Sequence, residues 1–184
     1  SFNLNGMLQM SRASTFENIT SPNVVGYLQG SDPLLSNEFM VYTAHLDHIG
    51  ELAGEGHEDG INNGALDNAS GIAVMLETAR LFGSREAPRR SVLFVAVTAE
   101  EKGLVGSEYF ANNPVVPPAS MAGVINLDMP LLLYDFGDVI AFGAEHSTMQ
   151  AAVQTAADEA GVELTPDPFP EQNIFVRSDH YRFV

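Results

Sequence analysis

Cysteine is absent from the 184 residues, and lysine plus arginine number only 8 against 24 aspartates and glutamates. Without thiols the chain forms no disulfide and no thiolate metal site, so any zinc must be held by histidine and carboxylate. The lack of cysteine is compatible with an oxidising compartment. The shortage of basic residues leaves a formal net charge of −16 and no cluster able to neutralise phosphates. That argues against nucleic acid or an anionic membrane as partner, and bound cations would offset part of the acid. No apolar run is long enough to cross a bilayer, and Ser1-Phe2-Asn3-Leu4 carries neither the basic start nor the apolar stretch of a signal peptide. What remains is an ordinary globular composition, 45% hydrophobic, in a length suited to one domain spanning residues 1–184 with a sizeable core.

The organising stretch is residues 91–107, SVLFVAVTAEEKGLVGS. Its apolar run, Val92 to Val97, has the length and composition of a buried parallel strand. It stops at Glu100 and Glu101, and ligands in open α/β sheets bind at the carboxyl ends of strands. Side chains diverge where a strand gives way to a loop, so one glutamate can hold a metal while its neighbour reaches the attacking water. Residues 39–44 (FMVYTA) form a second strong strand candidate that runs directly into His45-Leu46-Asp47-His48. A period of two places His45 and Asp47 on one side, where an aspartate can fix the second nitrogen of a metal-binding imidazole. Residues 121–127 (MAGVINL) make a third strand, again ending at an acid, Asp128.

Between these strands, residues 72–82 (IAVMLETARLF) read as a helix capped by Asn68 or Ser70, with Asp67 just before its N-terminus, where the helix dipole favours an anion. Asp59-Gly60-Ile61-Asn62-Asn63-Gly64 is spaced like a calcium loop, but Ile61 stands where an oxygen ligand belongs and Ser70 where the bidentate glutamate belongs. An EF-hand is excluded, and His57 in the same glycine-rich loop reads as an exposed residue. Residues 105–112 and 146–160 are further helix candidates. Residues 7–10, 23–28, 139–142 and 162–165 are short strand candidates. Helices alternating with strands predict an α/β three-layer sandwich, a mixed but mainly parallel sheet with helices on both faces.

Collected, the candidates are His45, Asp67, Glu101, Asp128 and His180, with Glu100 beside them. Two histidines and three carboxylates suit Zn²⁺, and less exclusively Co²⁺ or Mn²⁺. Five ligands are too many for one tetrahedral catalytic zinc, but fit two metals about 3.5–4 Å apart that share a bridging carboxylate.

HLDHIG, GALDNASG, TAEEKGLVGS, NLDM and RSDHYRF, in that order, resemble the M28 zinc aminopeptidases from about Asn23 onward. The resemblance implies His45 and Asp128 on one zinc, Glu101 and His180 on the other, Asp67 bridging, Asp47 orienting His45 and Glu100 as general base. It implies removal of N-terminal residues from peptides with a free N-terminus, in an extracellular or periplasmic setting, on a zinc-aminopeptidase/phosphorylase-hydrolase-like sheet. A glutaminyl cyclase of the same family, which uses one zinc, and a non-catalytic receptor-like domain on the same scaffold are the alternatives. Catalytic domains of this kind usually continue beyond the position matched by His180, so the chain is expected to lack a C-terminal portion. The zinc held by Glu101 and His180 is then expected to be weakly occupied.

Overall fold

The computed structural model describes residues 6–51 and 59–184. Its centre is a four-stranded sheet. β1 (Val24–Leu28) lies at one edge, antiparallel to β5 (Ser91–Val97), which runs parallel to β2 (Phe39–His45), which runs parallel to β6 (Met121–Asn126) at the other edge. Two short hairpin arms, β3 (Gly50–Glu51) and β4 (Ile61–Asn62), pair antiparallel beyond β2. β7 (Asp138–Val139) and β8 (Glu163–Leu164) form a separate parallel pair. The mixed, mainly parallel sheet expected from the alternation of elements is present.

β5 is buried almost throughout, because both faces of the sheet are covered. Register decides which side chain meets which layer. Val41, Leu93, Val95 and Val97 share one face with Phe110 of α2 (Val105–Asn112), and Phe183 from the C-terminal turn packs beside them. Ala44, Val92 and Phe94 point the other way, onto Met75 and Phe82 of α1 (Ser70–Gly83). Burying an aromatic or aliphatic side chain of this kind contributes about 1.5–3 kcal/mol, so these two clusters orient both helices on the sheet. Met149 at the start of α3 (Met149–Ala160) sits over Gly123 of β6, where the missing side chain leaves room for its sulfur.

Two expectations change. Residues 7–10 form no strand: they are exposed and pair with nothing among the described residues. Their apolar residues, Met7, Leu8 and Met10, are exposed and join neither edge of the sheet. The helix expected from His146 starts at Met149 instead, and His146 sits in a short 3₁₀ turn, Ala144–His146, ahead of it. His57 lies outside the described residues. No helix among them is long and apolar enough to cross a membrane.

Candidate metal centre

Parallel strands place their carboxyl ends on one rim, and the candidate residues collect there. β2 ends in His45, β5 runs out into Glu100 and Glu101, and Asp128 follows β6 by two residues. Asp67 arrives from an irregular turn, Ala65–Ala69, that feeds α1, with Asp67 itself out of helical conformation.

Two groups result, and Asp67 belongs to both. His45 Nε2 lies 3.1 Å from Asp67 Oδ1 and 3.3 Å from Asp128 Oδ1. His48 Nδ1 lies 3.8 Å from Asp67 Oδ2 and 2.7 Å from Glu101 Oε1. A tetrahedral zinc with bonds of about 2.0–2.2 Å sets its ligand atoms about 3.3 Å apart. The first group meets that spacing as it stands. In the second, the His48–Glu101 approach is shorter and lacks hydrogen-bond geometry, leaving both atoms buried without a hydrogen-bond partner. Unpaired buried donors and acceptors are costly, about 1–3 kcal/mol each. Two of them facing one another beside Asp67 are electron-pair donors that a cation would satisfy. The donor set, imidazole and carboxylate with no sulfur, suits zinc.

His180, expected beside Glu101, falls in neither group. It lies in the C-terminal 3₁₀ turn Asp179–Phe183, ring against Phe175, with its Nε2 buried and unpartnered. His48 was not expected as a participant. Its signal in the sequence is only its place three residues after His45.

The supports are specific. His45, 1% exposed, donates from Nδ1 to the carbonyl oxygen of Asp47 at 3.1 Å, which keeps that proton in place and turns Nε2 toward the two carboxylates. The Asp47 carboxylate stands 3.9 Å from the same nitrogen and accepts instead from the backbone N–H of Glu100 at 3.3 Å. Asp47 thus ties the end of β2 to the turn that carries Glu100. Asn68, almost fully buried, donates to the carbonyl of Leu127 and accepts from the N–H groups of Met129 and Gly71. It brackets Asp128 from both sides and fastens that loop to the N-terminus of α1. Ala99, just before Glu100, and Met129, just after Asp128, hold positive φ, a strained conformation that recurs at functional sites.

Electrostatics follow from crowding. Desolvation lowers the pKa of His45, but the hydrogen bond and charge of Asp128, with the charges of Glu100 and Asp179, outweigh it and raise the ring to about 9. Burial pushes Glu100 up to about 7, against the pull of His45 and with the help of Asp179, Asp128 and Glu101. Asp179, fully buried, is raised to about 6, chiefly by desolvation. Burial raises Asp128 as well, but hydrogen bonds from His45 and Ser178, with the charges of His45 and His180, win and hold it below the ordinary aspartate value. Beside this rim a cavity of about 260 Å³ opens between Asp47, His48, Gly50, Asn62 and Asn63.

Among known proteins, the chain is 42% identical over 66 residues to a probable zinc metalloprotease of Pyrenophora tritici-repentis, a match covering 36% of this chain and 15% of that protein. It is 37% identical over 124 residues to leupeptin-inactivating enzyme 1 of Streptomyces exfoliatus, covering 63% and 25% respectively. Among solved structures it superposes on BSAP, a zinc aminopeptidase from Bacillus subtilis, with a TM-score of 0.63 and 26% identity over 88% of this chain and 36% of that one. It shares the fold of Porphyromonas gingivalis glutaminyl cyclase at a TM-score of 0.64 and 21% identity, covering 88% of this chain and 58% of that one. The chain therefore spans less than two thirds of each of these proteins. The model of peptidase family M28 matches residues 23–184, and the chain belongs to that family.

Proposed function

We propose that the chain carries the catalytic rim of a two-zinc aminopeptidase that releases N-terminal residues from peptides. The observation that carries the reading is Asp67. Its two oxygens face two different histidines, His45 and His48, each accompanied by a further carboxylate. His45, Asp67 and Asp128 would hold one zinc. Asp67 and Glu101 would hold the other with His180, which the family resemblance supplies in place of His48 and whose buried Nε2 has no hydrogen-bond partner among the described residues. Zinc, when bound, supplies Lewis acidity toward a carbonyl and lets water ionise near neutral pH. Glu100, held at about 7 by burial among acids, is suited to take a proton from the attacking water and return it to the departing amine. The cavity flanking His48 offers space for a substrate side chain.

Glu100→Gln tests the reading directly. Zinc content should be unchanged, while turnover of an aminoacyl-nitroanilide falls about 10²–10⁴-fold. Unchanged turnover removes Glu100 from the role of base, and wild-type activity that survives full chelation removes the metal. The glutaminyl cyclase fold offers a second reading, cyclisation of an N-terminal glutamine. A glutaminyl peptide decides between them, since hydrolysis releases glutamine whereas cyclisation releases ammonia.

A further inference from the structure

Asp128 is held by more than its histidine. Its Oδ2 accepts a 2.6 Å hydrogen bond from the Oγ of Ser178, two residues before His180. Ser178 Oγ in turn lies 2.7 Å from Asn126 Nδ2, and Asn126 Oδ1 lies 2.7 Å from Thr43 Oγ1. Thr43 is fully buried and Ser178 nearly so, while Asn126 and Asp128 are half-buried.

The direction of this row is set by chemistry. An ionised carboxylate only accepts, so the Ser178 proton must go to Asp128. Ser178 must then accept from its other neighbour, which requires the amide nitrogen of Asn126 on that side and its oxygen toward Thr43. Turning the amide over would leave two acceptors, Asp128 Oδ2 and Asn126 Oδ1, facing Ser178 Oγ with one proton between them. The row therefore runs one way, Thr43 to Asn126 to Ser178 to Asp128, and reaches Asp128 on the oxygen that does not face His45. That leaves Oδ1 aimed at the group it shares with His45 and Asp67.

We infer that Thr43, Asn126 and Ser178 are positioning residues for Asp128: they fix which of its oxygens faces the metal centre, and they make the C-terminal Ser178 segment a support of the first group. The inference rests on the metal-binding reading above. It assigns to the segment Arg177-Ser178-Asp179-His180 a part in the His45 group as well as the expected ligand in the other.

Outer partners of metal ligands typically govern about 10–100-fold in affinity. Zinc affinity is therefore compared by chelator competition for the wild type, Ser178→Ala, Ser178→Thr and Thr43→Val, each also carried in an Asp128→Asn background. Ser178→Ala and Thr43→Val should weaken the tighter zinc by about tenfold or more, and Ser178→Thr, which keeps the hydroxyl, should restore it. In the Asp128→Asn background the same substitutions should cost nothing further, because they act through that carboxylate. A loss that persists there marks a general packing defect and overturns the proposal, as does Ser178→Ala binding as tightly as the wild type. A wild type that takes up no zinc overturns the metal reading itself, a different outcome from a wild type that binds while Ser178→Ala binds equally well.

Discussion

His45 is the residue on which the chemistry of the metal-free protein turns. Its ring is raised from 6.5 to about 9 by the acids around it, so at neutral pH it carries a proton that zinc must displace. A histidine whose folded pKa exceeds its unfolded one lends stability that is complete below about 6.5 and disappears as pH rises through about 9. Glu100, raised to about 7, is half titrated at pH 7 and lowers stability in the same direction as it ionises, whereas Asp179, at about 6, has largely finished. The metal-free protein should thus lose stability between pH 7 and 9, and zinc uptake at pH 7 should release protons. Calorimetric titration in buffers of different ionisation enthalpy measures the release; no proton released would remove His45 from the ligand set. The two histidines that compete for the second zinc, His48 and His180, part in the same titration. His180→Ala should abolish the weaker of two zinc-binding steps and His48→Ala should keep both; the reverse result assigns the ligand to His48. His45, Asp67, Glu101 and Asp128 were visible beforehand because each closes a predicted strand or opens a helix. That the Asp47 carbonyl, and not its carboxylate, takes the His45 proton was not visible, since a period of two says which side chains share a side and not which atom arrives. Thr43, Asn126 and Ser178 were equally hidden. They are common polar residues 83 and 52 positions apart, with no spacing to mark them.

At the level of elements, α1 must start close enough to the end of β6 for Asn68 to reach both Leu127 and Met129, and Gly71 makes that approach possible. A Cβ there would collide with Asn68 Oδ1 and the Leu127 carbonyl. Alanine is better than glycine inside a helix by about 1 kcal/mol, but overpacking a rigid contact costs about 1–3 kcal/mol, and both atoms in the way are hydrogen-bonded to one another's segments. Gly71→Ala should therefore destabilise, by about 1–2 kcal/mol in chemical denaturation, and should weaken zinc binding because Asp67 and Asp128 sit on the two segments pushed apart. A variant as stable as the wild type would show that α1 has room to shift. β2, β5, β6, α1 and α2 were legible in outline because long apolar runs and a capped amphipathic stretch each favour one conformation. Residues 7–10 form no strand because a mostly apolar run of four residues carries no information about whether it pairs, and this one joins neither edge of the sheet. The shift of the third helix from His146 to Met149 has a local cause: Gly143 at positive φ starts a separate 3₁₀ turn, and Ser147 Oγ accepts from the Met149 N–H as the new helix begins.

For the whole molecule the governing quantity is the imbalance of 24 acidic against 8 basic residues. Arg80, Arg89, Arg90 and Arg182 are engaged by Glu77, Asp32, Glu38 and Glu108 at the surface, where such pairs contribute about 0–1 kcal/mol. The rest of the acid is of two kinds. Exposed carboxylates repel one another through solvent, and salt relieves them as the screening length falls from about 8 Å at 0.15 M to about 3 Å at 1 M. The carboxylates of the rim, Asp47, Asp67, Glu100, Glu101 and Asp128, are half-buried, and with Asp179 fully buried nearby a cation at close range relieves them more than screening does. Potassium chloride should therefore raise the melting temperature of metal-free and zinc-loaded protein alike. The added increment from zinc, about 2.7 kcal/mol at a hundredfold excess over its dissociation constant, should survive at 1 M salt. If that increment vanishes with the screening length, zinc is acting as a diffuse counterion to an acidic surface. If it persists, and is lost in Asp67→Asn, the ion is held by the carboxylate that faces both histidines.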